Sequence, residues 1–136
     1  MKDIQLISPT GKSLRIMDHF GSGLYNAPRG NLKHNGIDFL CDPGQIILAP
    51  VDGVILRIAY PYTKKNYSGV YLENESLSLK MFYFTPDKKI IGKKVSRGQR
   101  IGIAQDISKL YNTGVKKMLP HIHLQIETID PTLLLI

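Results

Sequence analysis

The sequence predicts an all-β protein: a compact antiparallel sheet domain with long loops that form a groove. Apolar stretches of strand length recur between turn signals every ~8–12 residues. Glycine and proline are frequent, with twelve Gly and eight Pro among 136 residues, which makes the chain turn-rich. No segment carries the 3.6-residue apolar period of a long helix.

The elements follow in order. Ile4 to Arg15 reads as two short strands about a Ser8-Pro9-Thr10-Gly11 turn. Asp18 to Lys33 carries Gly21, Gly23, Pro28 and Gly30 and reads as a loop, of a length that usually serves function. Gly36 to Cys41 is a short apolar strand, stopped by the Asp42-Pro43-Gly44 turn. Gln45 to Ala49 is the next strand. Asp52-Gly53 is a strong hairpin signal and leads into Val54 to Tyr60. Pro61 to Ser68 is a polar, basic loop. Val70 to Glu73 and Leu77 to Phe84 are partner strands around Asn74-Glu75-Ser76, and Pro86 to Lys89 turns again. Lys93 to Gln99 is a turn between short strands, and Arg100 to Ala104 a strand. Ile107 to Tyr111 has room for one helical turn, and Asn112 to Pro120 is a loop. Ile122 to Thr128 alternates as a strand, and Pro131 to Leu135 is a short tail. One domain spanning residues 1–136 is expected, as a monomer.

Eighteen Lys and Arg against eleven Asp and Glu leave a net charge of +7. Such a surface serves solubility, and it also attracts polyanions such as nucleic acid, an anionic membrane, or a wall polymer bearing phosphates and carboxylates. The basic pairs Lys64-Lys65, Lys88-Lys89, Lys93-Lys94 and Lys116-Lys117 fall at predicted turns or edges, where lysine also guards sheets against aggregation. No recognition helix or RNP-type aromatic strand accompanies them, so nucleic acid is not an expected partner. No apolar run approaches transmembrane length, so membrane insertion is not expected either. Met1 to Gln5 lacks the apolar region of a secretory signal. Cys41 is the single cysteine; it excludes an internal disulfide and reads as a small buried apolar residue.

Chemistry concentrates in two short patterns. His34-Asn35-Gly36-Ile37-Asp38 is an H-x-G-x-D, and His121-Ile122-His123 an H-x-H. They hold three of the four histidines. In a strand, residues i and i+2 face one way, so His121 and His123 share a side. His34 and Asp38 meet if the segment bends at Gly36. Imidazoles with a carboxylate, and no sulfur, suit zinc. Either pattern alone is weak, since a histidine pair is often purely structural; the two together, separated by several hairpins, are much stronger. His19 has no partner pattern and reads as a solvated or structural residue.

With these patterns, the chain resembles the lysostaphin-type (LytM-type) zinc endopeptidases, which cleave peptidoglycan cross-links. The same family pattern includes Ala49-Pro50-Val51-Asp52-Gly53-Val54, Ser68-Gly69-Val70 and Val95-Ser96-Arg97-Gly98-Gln99-Arg100-Ile101-Gly102. The resemblance covers about residues 30 to 128. It implies the lysostaphin-type peptidase fold (a duplicated hybrid motif), one Zn²⁺ held by His34, Asp38 and His123, and His121 as a catalytic residue. It implies peptidoglycan peptides of the anionic cell wall as substrate, met at the wall, in the periplasm or outside the cell. The family's second catalytic histidine falls, in Lys80 to Thr85, at Tyr83. Tyr83 is therefore the second candidate catalytic residue, as an O–H donor in place of an imidazole. A narrower resemblance, through Asp18 to Tyr25, His34 to Gly44 and Lys80 to Tyr83, is to the leukocyte cell-derived chemotaxin branch. That branch also has tyrosine there, and it implies the alternative of a zinc-stabilised binding module. Its several disulfides have no counterpart beside Cys41, which fits a bacterial or phage relative.

Overall fold

The structure, a computed structural model, describes residues 4–135. In chain order the strands are β1 (Pro28–Arg29), β2 (Leu32–Lys33), β3 (Ile37–Leu40), β4 (Ile46–Leu48), β5 (Gly53–Ala59), β6 (Gly69–Glu73), β7 (Leu77–Phe82), β8 (Phe84–Pro86), β9 (Lys94–Val95) and β10 (Arg100–Ala104). A one-turn helix, α1 (Ser108–Tyr111), precedes the longest strand, β11 (His121–Ile129). Short 3₁₀ turns cover Lys88–Ile90 and Pro131–Leu134. Strand makes up 39% and helix 8%, so the fold is nearly all β, as the sequence predicts.

Six strands form an antiparallel sheet in the order β3-β11-β7-β6-β5-β9, and β4-β10-β8 form a second sheet. The core lies where these sheets meet. Ile47, Ile55, Leu72, Leu79, Met81, Phe84, Ile101 and Ile122 are fully buried in it. Cys41 is buried as expected, and burial pushes its thiol up to about 12. The register matters most for the site: β11 lies between β3 and β7, with His123 opposite Asp38 on one side and Phe82 on the other.

Four local readings of the sequence are corrected. Ile4 to Arg15 contains no strand, only an isolated bridge from Leu14 to Phe39. It runs beside β3, joined by Leu40 N–H to Ser13 O and Arg15 N–H to Asp38 O, but Arg15 turns inward and the ladder stops. The Asp18–Lys33 loop holds the hairpin β1–β2, whose signal was Gly30-Asn31, with Gly30 at φ +60°. Asp52-Gly53 is not a hairpin: β4 pairs with β10, and β5 with β6 and β9. Gly53 serves close packing instead, since a Cβ there would lie 2.7 Å from Glu73 O. Finally, Leu77 to Phe84 is two strands in different sheets, broken at Tyr83, whose φ is +82°.

Candidate metal centre

Three elements deliver the site. The two-residue period of β11 sends Ile122 and Leu124 into the core and His121 and His123 to the opposite face. Cross-strand pairing places Asp38 beside His123. The β1–β2 hairpin is prolonged by His34 N–H to Ala27 O and Asn26 N–H to His34 O, which carries the His34 ring over β3. Loops cover this face of the sheet, so His34, Asp38, His121 and His123 are all at most 8% exposed.

His34 Nε2, Asp38 Oδ1 and His123 Nδ1 converge. Their separations are 3.2 Å (His34 to Asp38), 3.1 Å (His34 to His123) and 2.9 Å (His123 to Asp38). Tetrahedral ligands about zinc at its usual bond lengths stand ~3.3 Å apart, so the three atoms are already near that spacing. The outer ring nitrogens are engaged. His34 Nδ1 lies 3.0 Å from Leu24 O, and His123 Nε2 lies 2.8 Å from Gln125 Oε1. A carbonyl can only accept, so His34 Nδ1 carries its hydrogen and Nε2 turns a lone pair inward. With Gln125 Oε1 as acceptor, His123 does the same from Nδ1. Three acceptors then face one point, an arrangement that a shared proton or a cation in its place makes favourable. The donor set fits zinc, and the outer partners are of the kind that orient metal-ligating histidines.

Arg15 was not singled out in the sequence, although a basic residue in Leu14-Arg15-Ile16-Met17 was the available signal. It is 2% exposed; its guanidinium donates to Asp38 Oδ2 and Gly21 O, each at 2.9 Å, and forms an ion pair with Asp18 Oδ2 at 2.8 Å. Tying up Oδ2 leaves Oδ1 for the imidazoles. Burial works against the Asp38 charge, but the contacts with His123 and His34, which a shared proton turns into hydrogen bonds, outweigh it, so the carboxyl stays well below the usual range.

His121 stands beside the trio. Its Nδ1 donates to Leu119 O at 2.8 Å, and its Nε2 lies 3.6 Å from Asp38 Oδ2. Burial lowers its pKa, ahead of the opposing pull of Asp38. Phe82 stacks on His123 with the planes 8° apart. Tyr83 meets His121 edge to face at 5.5 Å. Alternation would send Phe82 and Tyr83 to opposite faces; the left-handed backbone at Tyr83 brings both rings to the histidines. Such a conformation is costly for a bulky residue and is often found at functional sites.

The four groups floor a cavity of about 260 Å³. The Asp18–Lys33 loop contributes Arg29, the 61–68 loop Pro61 and Tyr62, and the 112–120 loop Met118; α1 adds Tyr111. Its lining cations are Arg15 and Arg29, and the pairs Lys64-Lys65 and Lys116-Lys117 of the neighbouring loops are not among the lining residues. Lys65 instead lies over the Tyr60 ring. His19 is structural: its Nδ1 accepts from Lys117 N–H at 2.8 Å, joining two of the wall loops.

Gly36 holds the trio in register. A Cβ there would lie 2.3 Å from Leu124 O and 2.8 Å from His123 Cε1. Gly36→Ala therefore displaces β11 or the His123 ring. Zinc affinity should fall by at least tenfold, the loss usual when a ligand is mis-oriented, measured by competition with a chelating dye. An unchanged affinity would remove Gly36 from this account.

Residues 32–132 match the model of peptidase family M23. The chain belongs to that family. It is 34% identical to bovine (Bos taurus) leukocyte cell-derived chemotaxin-2 over 131 residues, 92% of this chain and 83% of the relative. Its fold is similar to that of the antimicrobial peptidase lysostaphin from Staphylococcus simulans, with TM-score 0.61, 19% identity, and 96% of this chain covering 51% of that one. It is also similar to a zinc-containing peptidase from Vibrio cholerae, with TM-score 0.57, 20% identity, and 91% of this chain covering 37% of that one. The chain thus spans about half of the lysostaphin chain and less of the second, and these two likenesses speak for the fold. Among the described residues no helix is long and apolar enough to cross a membrane.

Proposed function

We propose that this M23 chain is a zinc endopeptidase that hydrolyses peptide bonds in peptidoglycan stem or cross-bridge peptides. One observation carries the reading: beside three converging ligand atoms stands a further imidazole, His121, that metal binding does not require. His34, Asp38 and His123 would hold the ion. When bound, zinc supplies a Lewis acid that polarises a carbonyl and acidifies water. His121, its Nδ1–H fixed on Leu119 O, receives a proton at Nε2 and passes it to the leaving amine. Its lowered pKa keeps the ring neutral and able to accept. Tyr83, pushed up to about 12 chiefly by burial, keeps its hydrogen at neutral pH. It is therefore a donor rather than a base, suited to the oxygen that gains charge as the carbonyl is attacked. The net charge of +7 favours approach to an anionic wall, where the protein works as a monomer, in the periplasm or outside the cell.

The test is to incubate zinc-loaded protein with purified peptidoglycan and identify released peptides by mass spectrometry. A second reading, a zinc-stabilised binding module without turnover, draws on Tyr83 and on the 34% identity to bovine chemotaxin-2. Full zinc occupancy with no peptide released from any wall would decide for it.

Tyr83→Phe isolates the hydroxyl. Peptide release should slow by about 10²–10³, the usual loss for one oxyanion donor, with zinc content unchanged. Tyr83→His should be at least as active as the wild type. An equally active Tyr83→Phe refutes the donor role and leaves the peptidase reading in place.

A further inference from the structure

The Tyr83 hydroxyl is the inner end of a chain of phenols. Tyr62 Oη lies 3.0 Å from Tyr83 Oη and 3.1 Å from Tyr111 Oη. The Tyr62 ring lies over that of Tyr83, with centroids 6.3 Å apart and planes 29° apart. Tyr62 comes from the 61–68 loop and Tyr111 from α1, so three separate segments meet at these oxygens. Tyr67, from the same loop, packs against both Tyr62 and Tyr83 and donates its own hydroxyl to Asp106 O at 3.1 Å. It braces the rings and stays outside the chain of hydroxyls.

Three phenols carry three hydrogens, and two O···O contacts use two of them. If Tyr83 donates to Tyr62, its hydrogen is lost to the site. If Tyr62 donates to Tyr83, the Tyr83 hydrogen is free to point into the cavity, and Tyr111 must then donate to Tyr62. The charge layout favours the second arrangement. Asp38 and the neutral His121, with its Nε2 lone pair, line the same cavity as Tyr83, and Arg15, paired with Asp38 Oδ2, offsets only part of the carboxylate's pull. Both acceptors draw the positive ends of O–H dipoles inward. Aligned hydroxyls also polarise one another, so each member strengthens the last donor.

We propose that Tyr62 is a positioning residue that, anchored by Tyr111, donates to Tyr83 and thereby aims the Tyr83 hydroxyl hydrogen at the substrate oxygen. The inference rests on the reading of Tyr83 as the oxyanion donor. It assigns the 61–68 loop a part in turnover as well as in walling the groove. A loop that carries a member of the donor chain couples groove shape to rate.

Tyr62→Phe, Tyr83→Phe and the double variant form the test, with peptide release from purified peptidoglycan as one readout and the ring Cζ resonance of ¹³C-labelled Tyr83 as the other. Phenylalanine keeps the stacked ring and removes only the oxygen. Tyr62→Phe should lower kcat by about three- to tenfold with KM, zinc content and Tm unchanged, the scale of one neutral hydrogen bond. On top of Tyr83→Phe it should change nothing further, because the hydroxyl it aims is gone. The Tyr83 Cζ resonance of the metal-free protein should shift in Tyr62→Phe, and shift less in Tyr111→Phe. Losses that multiply in the double variant, or an unmoved Tyr83 resonance, would overturn the proposal, the second whether or not the wild type cleaves. A fully active Tyr83→Phe would instead remove the reading beneath it, a result that Tyr62→Phe alone cannot produce.

Discussion

Asp38→Ala should leave the protein without zinc, without turnover and markedly less stable, whereas His34→Ala should lose the zinc and the turnover at a smaller cost in stability. Both residues supply one of three converging atoms, and two ligands do not hold a catalytic zinc. The difference lies behind them. Asp38 is also the partner of Arg15, whose guanidinium is 2% exposed and already has an Nε without a hydrogen-bond partner. Removing the carboxylate leaves that buried cation with Asp18 and the Gly21 carbonyl, and breaking such a pair costs about 3–5 kcal/mol. His34 leaves behind the neutral Leu24 carbonyl and a carboxylate that is not orphaned, since it still has His123 and Arg15. Elemental analysis of protein purified without chelators and a thermal melt of each variant make the comparison. Full zinc in both variants would sink the ligand assignment. Zinc loss with equal melting temperatures would show that Arg15 is indifferent to Asp38.

What could be read in the sequence divides along a physical line. Local signals were reliable: β3, β5, β6, β10 and β11 fall within a residue or two of their predicted spans, because alternation and Gly or Pro stops act within a few residues. Asp38, His121 and His123 stand together because a strand period and one cross-strand pair suffice to join them, and the β1–β2 hairpin adds His34. What was missed depends on distant partners. Asp52-Gly53 has the chemistry of a hairpin, but its neighbours pair elsewhere, and the glycine answers to Glu73 rather than to a turn. Arg15 reads as an ordinary surface cation until Asp38 and Asp18 close around it. Tyr62 and Tyr111 carried no signal, since a phenol chain assembled from three segments leaves no spacing in the sequence. Tyr83 was marked by family pattern alone; its left-handed backbone, which turns the ring to His121, is visible only once β7 and β8 part into different sheets.

His121→Ala should keep the metal and lose turnover by about 10²–10⁴, the range of a general acid–base group, whereas His123→Ala should lose both. The two imidazoles lie one strand period apart on the same face, so sequence cannot separate their roles, but position can. His123 Nδ1 is within 3.1 Å of both other ligand atoms. His121 Nε2 comes no nearer than 3.6 Å to Asp38, and to the oxygen that Arg15 already occupies. Its ring is aimed from the far side by Leu119 O and flanked by Tyr83. A group so placed can reach a water or an amine beside the ion without completing the ion's shell. His121→Gln separates proton transfer from packing, since the amide fills part of the ring's volume and can hydrogen-bond but does not titrate near neutrality. It should match His121→Ala in rate while melting closer to the wild type. Zinc content by elemental analysis and initial rates of peptide release on the same preparations decide the matter. A His121→Ala protein that loses its zinc, beside a His123→Ala protein that keeps it, would exchange the two assignments.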